Sequence, residues 1–584
     1  DDHGNYEKGK AVFTEGIKQD KWKDVKISLF YTDRDDPNSG SFVIKRDGSL
    51  REISADEFDE TYVEATSQED GSKRGKGKRN PYPEVVRSPH KSFDDAIENI
   101  YFTVDSPIQN AGPKVHTEVE QIAMEAQAIK DFVDQKIPKG AKKQLIVERY
   151  TMGESVIADA LEYAVDGEVP TTVVTDFNTS MEANFGGEPM ITDFSKARPN
   201  ARESGVLISR LLKKGFKIHD KKAKHLLVSQ PLYDHNDDEM DPIMHRKKLI
   251  MIVELPNGKK EYRYFASSGN WSNKGQRVNM VLETRAPEIV EHAIKNHARI
   301  VETFLAGKPI DQIKPVRPRR VVFENGESVL MSYTDGQYNT NENFVGVVEK
   351  TVSDPENYQL VDADLYHFVP TMARGLDAIK AAMEKHPESR LYAVFDMKFS
   401  SQRGWGKSPA LGGYMTLHPF GKPTFPWARA IRDRVEGYVY MRGIEGVPQL
   451  DLEGPPSGSF VYHLKISQAR IREKGELWSY SSVGSFNFSN NLKNAEFQWL
   501  MRLRPESKFH GIVRELALGH ARAHKDEYAI PLWRAPLRDT AARLIGHSPL
   551  ELPMKDLSSI EASLRDGELT ALGFKLHELL AMGT

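Results

Sequence analysis

The sequence repeats itself once at an interval of about 220 residues, and this repeat constrains the fold more than any other feature. Residues 144–178 and 364–398 each contain an apolar run, a stretch with helical spacing and a second apolar run that ends near an aspartate. Three residues match at one offset of 220: Thr151, Met152 and Asp176 in the first segment, and Thr371, Met372 and Asp396 in the second. Strand, helix and strand in succession predict a βαβ unit of a mostly parallel sheet. We therefore expect two duplicated α/β halves.

A second set of polar residues repeats at nearly the same interval. Two H-x-K triplets are each followed by an apolar strand, a glycine-containing turn, another strand and a Ser-x-Asn sequence. The two sets are His245, Lys247, Ser268 and Asn270, and His463, Lys465, Ser485 and Asn487. A third triplet begins at His219 but lacks this continuation, and His219 is interpreted as a surface residue.

The repeated residue types suit one reaction. A histidine and a lysine two apart on a strand point to the same face. Two halves related by a pseudo-two-fold axis would therefore bring two imidazoles, two ammonium groups, two amides and two hydroxyls together. Lysine and asparagine can bind the non-bridging oxygens of a phosphodiester. One neutral imidazole can then attack phosphorus while one imidazolium protonates the leaving oxygen.

These motifs resemble the signature of the phospholipase D superfamily, which is H-x-K-x4-D followed by G-S-x-N. The resemblance covers roughly residues 140–530 and implies a pseudo-dimer with one shared active site. The sequence departs from the signature in three places, because Ile252 and Arg470 replace the aspartate and Ser267 stands where glycine is usual. Tyrosyl-DNA phosphodiesterases also lack this aspartate.

The resemblance implies a role for each motif residue. His245 resembles the nucleophile that forms a phosphohistidine, and His463 resembles the general acid that later acts as the base. The remaining assignments are a phosphate clamp of Lys247, Lys465, Asn270 and Asn487, supporting hydroxyls on Ser268 and Ser485, and histidine-orienting groups on Glu496 and Asn279. Because one orienting group is a carboxylate and the other an amide, the two histidines should have different environments.

The composition limits the chemistry further. The absence of cysteine among 584 residues excludes disulfides, thiolate metal sites and cysteine nucleophiles. No cluster has convincing metal-ligand spacing, so we expect no metal and no cofactor. A net charge of -4 favours a lipid over a nucleic acid as the substrate. No apolar run approaches about 18 residues, so we expect no transmembrane segment. The chain begins with Asp1 and not with Met, as it would after removal of a signal peptide, so we expect a secreted or periplasmic protein.

The expected architecture is α/β, with two halves of mixed sheets flanked by helices. The predicted regions are a β-rich extension at 1–110, the first half at 111–315, the second half at 316–530 and a helical tail at 531–584. The leading functional hypothesis is hydrolysis of a glycerophospholipid headgroup at a membrane surface, with water or an alcohol as the acceptor. One alternative is a nuclease or tyrosyl-DNA phosphodiesterase-like enzyme, which the missing aspartates and a basic loop at 73–79 favour. Another is a non-catalytic lipid- or nucleic-acid-binding relative.

Overall fold

The computed structural model divides the chain into two compact units, Asp1–Lys76 and Gly77–Thr584. The described residues are the strands within 1–53, then 83–103, 114–176, 199–229, 243–271, 277–314, 316–334, 339–368, 372–396, 434–440, 461–489, 494–523, 525 and 529–531. The expected helical tail, apart from its first residue, and the basic loop at 73–79 lie outside them.

The N-terminal unit contains one antiparallel sheet in which the five strands follow their chain order. These strands are β1 Tyr6–Glu7, β2 Lys10–Phe13, β3 Lys26–Tyr31, β4 Gly40–Arg46 and β5 Ser49–Ile53. The region is therefore β-rich, as its alternating apolar runs predict.

The second unit contains two large mixed sheets. The first has nine strands in the order β11-β12-β10-β9-β13-β14-β16-β7-β8. Its strands are β7 Ile97–Phe102, β8 Val115–His116, β9 Lys142–Arg149, β10 Thr171–Thr175, β11 Lys217–Ile218, β12 His225–Ser229, β13 Lys248–Glu254, β14 Lys260–Ser267 and β16 Met280–Thr284. Strands β9, β10 and β12 are parallel, whereas the pairs from β9 through β13, β14 and β16 to β7 are antiparallel.

The second large sheet has ten strands in the order β26-β21-β20-β19-β23-β24-β25-β18-β17-β6. Its strands are β6 Glu84–Arg87, β17 Arg319–Val322, β18 Ser328–Tyr333, β19 Tyr358–His367, β20 Arg390–Asp396, β21 Val435–Tyr440, β23 Lys465–Glu473, β24 Glu476–Gly484, β25 Phe497–Leu503 and β26 Ala529–Pro531. Strands β6 and β7 both precede residue 111, and each belongs to one of the two large sheets.

Seven central strands have the same order and the same directions in both sheets. The order β12-β10-β9-β13-β14-β16-β7 in one sheet corresponds to β21-β20-β19-β23-β24-β25-β18 in the other. The three strands at one end are parallel in each sheet, and the other neighbouring pairs are antiparallel. The sequence repeat is thus a repeat of whole α/β halves, which confirms the expected fold class.

Helices occupy the crossovers that parallel strands require. The described helices are α1 Phe93–Ala96, α2 Gln121–Asp134, α3 Ser155–Asp166, α4 Pro199–Lys214, α5 Pro287–Leu305, α6 Glu342–Ser353, α7 Ala373–Lys385, α8 Phe509–Arg514 and α9 His520–Ala523, with a 3-10 turn at Ile310–Gln312 and a π-helix at Glu515–Gly519. Helix α3 buries Ile157, Ala158 and Leu161 at helical spacing against the first sheet. Within the described part of the chain, no helix is long and apolar enough to cross a membrane.

A shared apolar core joins the two large sheets. Alternate residues of β13, such as Ile250 and Ile252, lie in one buried cluster with residues of the second sheet. Tyr264 of β14 and Trp499 of β25 meet there, with ring centroids 5.8 Å apart. The opposite face of β13 packs on helices α2 and α3. Because side chains alternate along a strand, the same short segment contributes to both cores and fixes the position of the H-x-K triplet before it.

Candidate active site

A buried aspartate anchors the chain just before each H-x-K triplet. Asp176 follows β10, and its Oδ2 accepts a hydrogen bond of 2.6 Å from the main-chain N–H of Met244. Asp396 ends β20, and its Oδ2 accepts one of 2.9 Å from the main-chain N–H of Tyr462. Both carboxylates are fully buried. The repeated aspartates of the sequence therefore set the entry of each triplet into its strand.

The main chain of each triplet also bonds to the opposite half. The N–H of His245 donates to the carbonyl of Ala495 at 2.9 Å, and the N–H of His463 donates to the carbonyl of Val278 at 3.1 Å. Beside the second contact, β15 (Arg277–Val278) and β22 (Val461–Tyr462) form a two-stranded parallel sheet. These equivalent contacts place both triplets at the junction of the two halves.

The imidazole of His245 is held by a carboxylate from the second half. Its Nδ1 lies 2.8 and 2.9 Å from the two carboxylate oxygens of Glu496. Because a carboxylate only accepts hydrogen bonds, Nδ1 carries the proton and Nε2 keeps its lone pair. Burial lowers the pKa of His245 to about 4, with Glu496 opposing this shift and Lys247 adding to it. The neutral imidazole therefore predominates at pH 7.

The imidazole of His463 has an amide partner from the first half. Its Nδ1 lies 3.2 Å from Oδ1 of Asn279 and 3.1 Å from Nζ of Lys465. The two histidines thus exchange partners between halves, and the partners differ in charge. The structure has the asymmetry that the sequence predicts for the two environments.

Each orienting group is in turn held by a serine of its own half. The Oγ of Ser485 accepts from the N–H of Phe497 at 3.1 Å and donates to Glu496 at 2.6 Å. The Oγ of Ser268 accepts from the N–H of Met280 at 3.0 Å and lies 3.4 Å from Oδ1 of Asn279. The serines therefore contact the groups that hold the histidines.

The lysines and asparagines of both motifs lie at the same junction. Lys247 Nζ donates to the carbonyl of His245 at 2.6 Å, and Lys465 Nζ donates to that of His463 at 2.8 Å. The charge of Lys465 contributes to lowering the pKa of His245, although the two residues belong to different halves. Among the described residues, the Oδ1 atoms of Asn270 and Asn487 are buried without a hydrogen-bond partner. Each of these amides therefore has a buried oxygen for which the described residues supply no donor.

The three departures from the signature have separate structural settings. Ile252 lies in the shared core, and Arg470 pairs with Asp362, whose carboxylate oxygens are 2.9 and 3.1 Å from its Nε. Ser267 Oγ accepts hydrogen bonds from the N–H of Gly269 at 2.9 Å and from Gln121 at 2.7 Å. The serine thus provides an acceptor for the loop that carries Asn270.

Sequence reasoning missed two aromatic residues at this site. The ring of Tyr150 lies 5.2 Å from that of His245, and the ring of Phe368 lies 5.0 Å from that of His463. Each aromatic residue directly follows the first strand of its βαβ unit, and the two are 218 residues apart. This interval, which equals that of the histidines, was the signal that could have identified them.

His219, expected on the surface, is instead half-buried, and its Nε2 accepts from the N–H of Ser229 at 3.1 Å.

One cluster in the described part of the chain has enough acidic and histidine ligand atoms for a metal. Asp362, Asp364 and His510 offer ligand atoms within 4.8 Å of one another. Arg514 donates to both carboxylates at 2.8 Å, and Arg470 pairs with Asp362 as well. Two guanidinium groups therefore already neutralise these carboxylates, and the cluster fits an ion-pair network better than a metal site.

The fold and the site together define a duplicated α/β protein with a histidine pair at the junction of its halves. No protein-family model matches the sequence, and no curated protein matches it. Among solved structures, phosphatidylserine synthase from Haemophilus influenzae Rd KW20 is similar over 76% of this chain and 92% of that chain, with 11% identity and a TM-score of 0.42. Polyphosphate kinase from Porphyromonas gingivalis is similar over 76% of this chain, with 13% identity and a TM-score of 0.39.

The chain spans about half, 54%, of the polyphosphate kinase chain. Nuc from Salmonella typhimurium is similar over 32% of this chain and 91% of that chain, with 14% identity and a TM-score of 0.19. Nuc is described as a phospholipase D family member, the family that the two motifs resemble.

Proposed function

We propose that this protein is a phosphodiesterase of the phospholipase D type that acts through a phosphohistidine on His245. One observation carries the proposal: each histidine takes its Nδ1 partner from the opposite half, and the two partners differ in charge. A carboxylate beside His245 stabilises the cationic imidazole that forms when Nε2 is phosphorylated. The amide beside His463 leaves that imidazole able to gain and lose a proton.

In the first step, Nε2 of His245 attacks phosphorus and the bond from phosphorus to the leaving oxygen breaks. The leaving oxygen takes the proton from Nε2 of protonated His463, so a neutral alcohol departs. Lys247, Lys465 and the two motif asparagines stabilise the negative charge on the non-bridging oxygens. The products of this step are the phosphohistidine and a neutral His463.

In the second step, His463 accepts a proton from water or from an alcohol as its oxygen attacks phosphorus. The N–P bond breaks, and its electron pair returns to Nε2 of His245. Water gives a phosphomonoester, whereas an alcohol gives a new phosphodiester. Both histidines end in their starting protonation states, with His245 neutral and His463 protonated.

For the substrate, we favour the headgroup bond of a glycerophospholipid, on the support of the near-balanced charge of the chain. A nuclease or tyrosyl-DNA phosphodiesterase-like activity is the second candidate, because Ile252 and Arg470 replace the signature aspartates. The discriminating assay compares phosphatidylcholine vesicles, single-stranded DNA and a 3′-phosphotyrosyl oligonucleotide under one set of conditions. We expect phospholipid turnover, and turnover of DNA substrates alone would reject the lipid assignment.

The intermediate is tested by trapping. The enzyme is mixed with labelled substrate, quenched without acid because phosphohistidine is acid-labile, and mapped by peptide mass spectrometry. We expect label on His245 and none in His245→Ala; label confined to His463 would reverse the two roles. Turnover should survive EDTA, because lysines and amides bind the phosphate in this scheme, and complete loss with EDTA would contradict it.

A further inference from the structure

Four consecutive basic residues, His245 to Lys248, are buried at the start of β13. His245 and Lys247 belong to the motif, whereas Arg246 and Lys248 lie on the opposite face of the chain, and both are fully buried. Burial of a cation is unfavourable unless anions and hydrogen bonds compensate for lost hydration. The proposed reaction gives Arg246 and Lys248 no direct part, so their burial needs another explanation.

Arg246 and Lys248 belong to one buried polar network. Lys248 Nζ lies 3.2 Å from a carboxylate oxygen of Glu148 on β9, and the other oxygen lies 2.8 Å from Nδ1 of His297 on α5. Asn296 Oδ1 accepts from both Arg246 and Lys248. Although burial alone would raise the pKa of Glu148, its cationic neighbours hold that pKa below the ordinary value. The network therefore contains an ionised Glu148.

The second half has no charged residue at the equivalent strand positions. In the first half Lys248 pairs across the strands with Glu148, and in the second half Ile466 pairs with Tyr366. Leu464 stands between His463 and Lys465, and both Leu464 and Ile466 lie in the shared core. Leucine, isoleucine and tyrosine thus stand at these positions, and the buried ion pairs of the second half involve Asp364, two residues before Tyr366. The fold alone does not require buried charges there.

The network ends at the main chain of Glu496, the residue whose carboxylate contacts His245. The carbonyl of Glu496 accepts from Nε of Arg246 at 3.3 Å and from the N–H of Thr334 at 3.3 Å. The N–H of Glu496 donates to Oγ1 of Thr334 at 2.8 Å. Tyr333, the residue before Thr334, makes cation–π contacts with Arg246 and Lys248. Its ring centroid lies 4.8 Å from the guanidinium carbon of Arg246 and 4.6 Å from Nζ of Lys248. The main chain of Glu496 is therefore held between the first-half network and β18.

We infer that Arg246, Lys248, Glu148, Asn296 and His297 form a positioning network that fixes Glu496 on Nδ1 of His245 and so makes His245 the more nucleophilic histidine. The inference rests on the proposed function for its catalytic meaning. The network acts through Glu496 and touches neither substrate nor reacting atoms. Leu464, which stands where the first half has Arg246, cannot donate such a hydrogen bond, so the two histidines of a symmetric fold have different reactivities.

The test uses the full chain and two readouts. The first is steady-state hydrolysis of bis(4-nitrophenyl) phosphate. The second is the rate at which diethyl pyrocarbonate carbethoxylates His245, measured by peptide mass spectrometry with His463 as the internal reference. The second readout needs no turnover, so it tests the network even if the phosphodiester probe is not hydrolysed. Absence of hydrolysis by the wild-type protein would count against the proposed function alone.

The main variant combines Glu148→Leu, Arg246→Leu and Lys248→Ile, which removes the carboxylate, the guanidinium and the ammonium group of the network together. Such wholesale replacement commonly preserves folding, whereas removing one partner leaves an unpaired charge. We expect kcat to fall about 10- to 100-fold with KM changed less than about twofold, because a displaced nucleophile slows the chemical step. The carbethoxylation rate of His245 should fall relative to that of His463.

Two further variants keep the result decisive. Arg246→Lys retains the charge but lacks the Nε–H that donates to Glu496, so we expect the same changes in kcat and in His245 reactivity. This variant provides the test if the triple variant does not fold. Arg263→Leu with Glu283→Leu removes an ion pair of 2.5 Å from the same sheet and should leave His245 unchanged. Wild-type kcat and wild-type His245 reactivity in folded Arg246→Lys or in the folded triple variant would overturn the inference.

Discussion

Glu496 and His245 are 251 residues apart in the chain, yet the carboxylate of one lies 2.8 Å from Nδ1 of the other. The equivalent contact, between Asn279 and His463, crosses the junction in the opposite direction at 3.2 Å. Each half therefore supplies a histidine and the group that contacts Nδ1 of the histidine in the other half. Neither half alone contains both a motif histidine and the residue that contacts its Nδ1.

Substitution of Glu496 should lower kcat more than substitution of Asn279, because only Glu496 is charged. Glu496→Gln should lower kcat about 100-fold or more, because an amide neither fixes the Nδ1–H tautomer as firmly nor stabilises the cationic imidazole. Asn279→Ala should lower it less, since His463 loses no charged partner. Steady-state rates with bis(4-nitrophenyl) phosphate measure both. Equal losses in the two variants would contradict the assigned roles.

The pH dependence of activity should report the state of His245. Burial lowers the pKa of this imidazole to about 4, so kcat/KM in the wild-type protein should fall as the pH drops through about 4. Glu496 raises that pKa, and in Glu496→Gln the fall should therefore move to lower pH. The profile is measured between pH 2.5 and pH 8 with the same phosphodiester. A fall that moves to higher pH in the variant would contradict this assignment.

Stability should also decline in mild acid. Burial lowers the pKa of His245 to about 4 and that of His292 to about 3, whereas both titrate near 6.5 when unfolded. The unfolded chain therefore binds more protons between these values, so the stability contribution is full above about pH 6.5 and is lost as the pH falls. Between pH 8 and pH 5, the proton uptake of each histidine should lower the free energy of unfolding by about 2 kcal/mol.

Urea unfolding of wild type and His292→Leu at these two pH values checks the prediction. The variant should lose about 2 kcal/mol less than the wild-type protein over this range, because one titrating group is gone. An identical loss in both proteins would show that His292 does not take up a proton on unfolding.

The two anchoring aspartates should contribute similarly to folding. Asp176→Ala and Asp396→Ala each leave a buried main-chain N–H without this acceptor, at Met244 and Tyr462 respectively. Each should lower the free energy of unfolding by about 2 kcal/mol, while the asparagine variants, which retain an acceptor oxygen, should lose less. Urea denaturation followed by circular dichroism measures all four. Alanine variants as stable as the wild type would contradict the anchoring role.

The residue before the motif serine is Ser267 in the first half and Gly484 in the second, and we expect Ser267→Gly to be tolerated better than Gly484→Ser. A Cβ at Gly484 would lie 2.1 Å from the carbonyl oxygen of Phe497, so Gly484→Ser should destabilise the protein by about 3 kcal/mol. Ser267→Gly removes the acceptor for Gly269 and Gln121 and should cost about 1 kcal/mol. Thermal unfolding of the two variants measures the difference. A larger loss in Ser267→Gly would contradict the packing argument.

The sequence predicts the duplication and the fold class because the repeat preserves both the periodicity of βαβ units and the spacing of polar residues. The family resemblance also predicts Glu496 and Asn279 as orienting groups, and in the structure each lies beside the Nδ1 of a histidine. It does not reveal that these residues cross between halves, because the order of contacts at a junction depends on how two sheets pack. The network around Arg246 and Lys248 was missed for a related reason. Its members come from β9, β13 and α5, and their common burial is a property of packing.

The crossed histidine contacts have a historical consequence. In a symmetric dimer of one short chain, any substitution appears twice, so both histidines would necessarily face identical partners. Joining two copies into one chain removes that constraint, because position 279 can then change while position 496 does not. A carboxylate at one position and an amide at the other are differences that a symmetric dimer of one short chain cannot have. The difference between the two imidazole environments therefore depends on the covalent linkage of the halves.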